Sequence, residues 1–164
     1  VACAMMTGVA QGMQPLISRA WGRENRQDMQ RVLRWSLMAV LFLAILITAG
    51  LWAGASPVVQ AFDTEGNRAL QQIATAGLPL YALGLPAAGI NIVLAMFFAA
   101  REKPIPAQGI TLLRGLVLII PLSCLMAACW QATGVWLSFP VSEGFTLLVG
   151  FVWYQKGKRK QKQP

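Results

Sequence analysis

The chain has 164 residues, 56% hydrophobic and only 12% charged, with a mean hydropathy of +0.54, where soluble domains carry about 25% charged residues; that deficit implies an all-α polytopic membrane protein, and no period-two alternation suggests a barrel. The net charge of +8 is confined to stretches between and after apolar runs, as in the positive loops of one membrane face, which argues against a nucleic-acid partner. With no histidine, three scattered cysteines (Cys3, Cys124, Cys129) and no GxxxxGK, the chain offers no metal-ligand spacing, disulfide framework, nucleotide motor or nucleophile–base constellation, so neither an enzyme nor a cofactor or metal is expected.

The chain opens at Val1 inside an apolar run and reads as a fragment cut within a helix. The first predicted span covers residues 1–21. Gly8 and Gly12 form a GxxxG that predicts close helix approach. Gln11 and Gln14 are polar within it, and Pro15 removes a backbone hydrogen bond and predicts a kink. Gln14 reads either as part of a polar packing stripe or as a ligand contact.

Five arginines follow around one loop, and the second span covers residues 32–53. Trp35 and Trp52 are about 26 Å apart along it, the spacing of two interfacial belts. Its centre is apolar on all faces and is expected to face lipid. The connector 56–72 carries Asp63, Glu65 and one basic residue, Arg68, the composition of an outer loop. Within it PVVQAF reads as a short interfacial amphipathic segment.

The third span, residues 73–100, is crowded with Gly77, Pro79, Gly84, Pro86 and Gly89 and carries one strongly polar interior residue, Asn91. Such a helix must be irregular, and broken helices often line transport pathways; a proline-kinked packing helix is the plainer alternative. The fourth span, residues 107–130, contains Arg114 and a kink at Pro121. A turn at 131–133 leads to the fifth, residues 134–154, and a basic tail, 156–164, closes the chain. Of 14 Lys and Arg, five flank the first loop, two sit in the Arg101 loop and five in the tail. This sidedness predicts a cytoplasmic C-terminus in a multi-pass plasma (inner) membrane, with Asn25 and Gly157 inside and Thr64 outside.

Glu143 lies in the middle of the fifth span, after Pro140 and Ser142, roughly 14–15 Å from either edge. An ionised carboxylate there costs at least about 2.5–3.5 kcal/mol, so it needs a partner, a cavity or a proton. A straight-helix ruler from the turn near Ala132 puts Arg114 about 27 Å deep and Glu143 about 16 Å deep, an offset of about 10 Å. Helical side chains lean toward their own N-terminus, which takes Arg114 further away. The ruler therefore predicts Gln14, Asn91 and Arg114 as an inner polar cluster. Glu143 is left near the midplane with Ser142 and Tyr81. Tyr81 and Phe139 read as substrate contacts by cation–π or as packing.

The ordered set Gly8-Val-Ala-Gln-Gly-Met-Gln-Pro, Trp21-Gly22, Gly77-Leu-Pro, Arg114 with Pro121, and Gly134-Val-Trp-Leu-Ser-Phe-Pro-Val-Ser-Glu resembles the multidrug and toxin extrusion (MATE) family over essentially the whole chain. The resemblance implies five spans of the C-terminal lobe of a twelve-helix, two-lobe exporter that exchanges H+ or Na+ for drug-like compounds. The lipid bilayer, small amphipathic organic substrates, expected to be cationic, and the N-terminal lobe would be its partners. The resemblance implies, for some members, a coupling cation held by acids in the seventh and tenth spans, and the tenth-like span here, residues 73–100, has none. A proton on Glu143 is then preferred to sodium, because one acid is a poor cage for a hard cation. A lipid-linked head-group flippase and a non-transporting truncated remnant are the alternatives.

Overall fold

The computed structural model describes residues 1–62 and 68–160, which form helices joined by short turns, with no strand among the described residues. The expectations for Asp63, Thr64, Glu65 and the last four residues of the tail lie outside the described residues. In order, α1 is Ala2–Gly22, α2 Arg26–Ala53, α3 Ala55–Phe62, α4 Arg68–Ala82, α5 Leu85–Ala100 and α6 Pro104–Leu112. A π-helical segment, Leu113–Val117, joins α6 to α7, Ile119–Lys160. α7 is two arms, because Trp130 and Gln131 are non-helical and Gln131 has φ 50°.

α5 is the hub. It packs against α1, α2, α6 and α7, and its buried residues run all the way round, from Leu85 and Ala88 through Asn91, Val93 and Leu94 to Phe97 and Phe98. A helix apolar on every face belongs inside. α1 meets it through Met6, Ala10, Met13, Ile17 and Ala20, and α2 through Met29, Leu33, Ser36, Val40 and Ala44. Both series have helical spacing and define one face each. Gly89 makes the closest crossing possible: a Cβ there would run into Val40 Cγ1.

Two expectations are corrected here. α2 does not face lipid all round; one stripe is buried, while Trp35, Met38, Phe42, Ile45, Leu46 and Trp52 are exposed. Gly8 and Gly12 do not mediate a close helix approach within this chain: a Cβ on either would meet nothing within 4 Å. α1 instead packs through the opposite residues, and Pro15 lies on the exposed side. The PVVQAF stretch forms most of α3.

The proline- and glycine-rich third apolar run is two helices. α4 and α5 are bent by 47° across Leu83 and Gly84. Pro79 lies inside α4, whereas Pro86 opens α5. The break frees two carbonyls, and α2 satisfies both. Pro86 has no N–H for the carbonyl of Ala82, which accepts from Thr48 Oγ1 at 3.1 Å. The Leu83 N–H turns to Leu80 O, and Pro79 O accepts from Trp52 Nε1 at 3.1 Å. Thr48→Val will therefore lower stability by about 1 kcal/mol, read as a lower melting temperature in detergent, because it strands an acceptor without changing side-chain volume. An unchanged melt would mean that Ala82 O needs no donor.

Two turns at one end of the bundle have the same geometry. Arg23-Glu24-Asn25 follows α1 and Arg101-Glu102-Lys103 follows α5. Glu24 and Glu102 are both left-handed, at φ 53° and 56°. Asn25 N–H bonds Ala20 O and Lys103 N–H bonds Phe98 O, each at 3.0 Å. This is the helix-ending turn in which glycine is usual, so each glutamate carries roughly 1 kcal/mol of backbone strain. Asn25 then caps α2, its side chain accepting from Asp28 N at 3.1 Å.

Candidate functional site

The sole acid of the apolar runs is nearly sealed. Glu143 sits on the second arm of α7 with its side chain 2% exposed. Oε1 accepts from Arg114 Nε at 3.0 Å and Nη2 at 2.8 Å. Oε2 accepts from Asn91 Nδ2 at 2.7 Å, and the same nitrogen donates to the main-chain O of Glu143 at 2.9 Å. Three elements thus converge on one carboxylate: α5, the π segment and α7.

This overturns the expected separation of Arg114 from Glu143. The ruler assumed unbroken α-helices measured from Ala132. Ser123 Oγ donates to Ser138 Oγ at 3.0 Å, and Gly134 lies against the carbonyl of Met126. Those pairings centre the hairpin between 130 and 131, which cuts the offset to about 6 Å. An arginine side chain spans that distance. The π turn, closed by Leu118 N–H to Leu113 O at 3.0 Å, also re-aims Arg114 away from the ordinary α-helical lean.

The expected inner cluster of Gln14, Asn91 and Arg114 is corrected with it. Asn91 and Arg114 meet, but through Glu143, whereas Gln14 is half-buried and makes no hydrogen bond to them among the described residues. Pro140 interrupts the second arm and leaves the carbonyl of Trp136 without its helical donor. The hydroxyls nearby bond other carbonyls: Ser138 donates to Val135 O, Ser142 to Phe139 O and Thr146 to Ser142 O. Pro121 lies in the first turn of α7, just past the π segment.

Tyr81, at the end of α4, stacks on Phe139 with centroids 4.1 Å apart and planes 15° apart, and meets Trp136 edge-on at 6.4 Å. Trp136 in turn lies across Gly77, where any Cβ would overlap its ring. The faces of Tyr81 and Phe139 that look at each other are occupied by packing.

Energetically the cluster is unforgiving. Removing one partner of a buried ion pair costs about 3–5 kcal/mol, because the remaining charge is stranded. The set is also incomplete: Asn91 is fully buried, and its Oδ1 has no partner among the described residues. An unmade buried acceptor costs about 1–3 kcal/mol.

A second buried cation went unseen in the sequence, where Arg101 reads only as a loop charge. It is 4% exposed, with its guanidinium 4.8 Å from the Trp21 ring centroid and 5.0 Å from that of Phe97. Burial lowers its pKa, with Tyr154 opposing and Arg26 adding to the effect. Aromatic faces repay part of that desolvation. The signal in the sequence was slight: tryptophan and phenylalanine at the ends of two apolar runs.

The MatE family model matches residues 1–143. A curated relative, the FAD transporter of Shewanella oneidensis, is 26% identical over 159 residues, covering 94% of this chain and 33% of that protein. Among solved structures, a mutant of the Vibrio cholerae MATE transporter VcmN superposes with a TM-score of 0.89 at 22% identity, over 98% of this chain and 36% of that one. The inward closed lipid II flippase MurJ superposes less closely, with a TM-score of 0.74 at 19% identity, over 93% and 33%. This chain thus spans about a third of the length of the relatives it matches. Its residues 1–143 carry the family pattern, its helices superpose on MATE transporters, and its long apolar faces are exposed; the chain belongs to the MatE family of multipass membrane transporters.

Proposed function

We propose that the chain supplies most of the C-terminal lobe of a cation-coupled antiporter that exports small amphipathic organic compounds, with a proton as the coupling ion. The observation that carries this reading is the sealed Glu143–Arg114–Asn91 cluster. A hard cation wants six or more oxygen ligands, and here the one carboxylate is already shared between a guanidinium and an amide. A proton needs a single lone pair. Among the described residues no group of acids, cysteines or histidines is assembled that would hold a metal ion. The inner membrane and a cytoplasmic C-terminus belong to the same proposal, on the distribution of basic residues.

Glu143→Gln in the full-length protein will abolish or strongly reduce efflux while leaving membrane insertion unchanged, because glutamine keeps the shape but holds neither charge nor exchangeable acid proton. Normal pH-dependent efflux in this variant would remove Glu143 from the mechanism. Single-cysteine labelling of whole cells, on a background lacking Cys3, Cys124 and Cys129, is expected to reach position 64 and not 157. The reverse pattern would invert the topology.

A second reading concerns the cargo. The FAD transporter relative and the partial exposure of Arg114, 19%, favour an aromatic substrate with an acidic group over a cationic one. Proteoliposome uptake of a cationic dye and of a flavin nucleotide, measured side by side, separates them.

A further inference from the structure

We infer that Asn91 is a positioning residue that reads the protonation state of Glu143 and so decides whether Arg114 is held. The inference rests on the proton reading of Glu143 given above. Its basis is the hydrogen-bond inventory of three side chains. A carboxylate accepts only, and in the charge-paired arrangement both its oxygens are filled by donors, Arg114 on Oε1 and Asn91 Nδ2 on Oε2. Asn91 Oδ1 is then left buried and unpaired. Protonation adds one O–H donor to Glu143, and the buried acceptor waiting beside it is Asn91 Oδ1.

The exchange needs only rotation of the Asn91 side chain about its torsions. Asn91 Nδ2 already shares its protons between Oε2 and the main-chain O of Glu143. It keeps the main-chain bond while Oδ1 swings to accept the new proton on Oε2. No covalent bond other than the O–H forms, and the proton returns to water when the acid ionises again. The protonated acid no longer carries the charge that holds Arg114. Arg114 is the less buried partner and sits on the π turn, an element found frequently at functional sites. The acid's charge is thereby converted into the position of the segment joining α6 to α7.

The surrounding charges are few. The second arm packs on α4, α5, α6, the π segment and the first arm of α7, which carries no charged residue and whose Cys124 and Cys129 are exposed. From these, Arg114 and Tyr81 face Glu143 electrostatically, and Cys3 of α1 acts on Tyr81. α5 offers Asn91 alone, and α6 carries no charged residue.

The test is pH-titrated infrared difference spectroscopy on the full-length protein reconstituted in lipid, which reads protonation without transport. A protonated-carboxyl stretch that Glu143→Gln removes is expected to rise with one midpoint, together with a side-chain amide shift and a guanidinium shift. Asn91→Leu is expected to move the carboxyl stretch to higher frequency and to delete the amide change. If that variant fails to fold, the wild-type titration still decides. A carboxyl band that titrates without any amide change at the same midpoint overturns the role of Asn91 and leaves the proton reading standing. Absence of any carboxyl band lost in Glu143→Gln overturns both.

Discussion

Arg114→Leu in the full-length protein will lower its stability by about 3–5 kcal/mol, the cost of stranding a buried charge, and Glu143→Gln on that background will restore most of the loss. The reasoning follows from where each group sits. Arg114 supplies two donors to one oxygen of a carboxylate that is 2% exposed. Without them the only remaining donor to the side chain among the described residues is Asn91 Nδ2. Neutralising the acid removes the problem at its source, because a glutamine amide can still accept from Asn91. The measurement is thermal unfolding of the three variants in one detergent, arranged as a double-mutant cycle. An Arg114→Leu protein that melts with the wild type would show that the pair contributes nothing to the fold.

Gly134→Ala will open the hairpin of α7, at a cost of about 3 kcal/mol, the upper end of the range for overpacking. A Cβ at this position would sit on the main-chain carbonyl of Met126 and 3.1 Å from the nitrogen of Ala127. Backbone cannot rotate out of the way as a side chain can, so the arms must separate. Their register is what brings Ser123 to Ser138 and Arg114 to Glu143, and both pairings should weaken together. Gly50→Ala is the matched control: it lies in α2, where a Cβ meets nothing within 4 Å, and it should be neutral or slightly stabilising through helix propensity. Equal melting of the two variants would refute the close approach at Met126.

Apolar run length and the distribution of arginine and lysine were enough to expose the helical class and the grouping of residues into successive runs. The break near Gly84 was visible for a covalent reason, since Pro86 cannot donate to Ala82 O. Glu143 was visible because a charge amid apolar residues has few excuses. Its partners were hidden, because depth along a chain was converted to depth in space with a straight ruler. A π turn and a non-helical pair at Trp130 and Gln131 each displace that ruler by a few ångström, and neither leaves a composition signal. Gly8 and Gly12 show the opposite failure. Their spacing permits close approach, but permission is local, and the face they occupy is not the one α5 and α2 use. Arg101 was missed because an arginine in a basic loop looks like topology, while only the folded chain places Trp21 and Phe97 against it.

α1 has a consequence for how the protein is made. By length and composition, the helices able to cross a membrane among the described residues are α2 and the stretch Pro104–Gly157, with α4 and α5 counting as a third if taken together. α1 does not qualify on its own. Yet it is held by five buried residues against two neighbours, the nearer of which in sequence is its hairpin partner across the Glu24 turn. During synthesis, α1 and α2 leave the ribosome in succession, joined by the short turn at Glu24, so they can pair before the rest of the chain emerges. The two would then partition as one unit. α5 begins 32 residues after the end of α2, so its docking surface on α1 must stay open through the interval in which α3 and α4 are threaded, and assembly of the hub becomes a late event set by chain order.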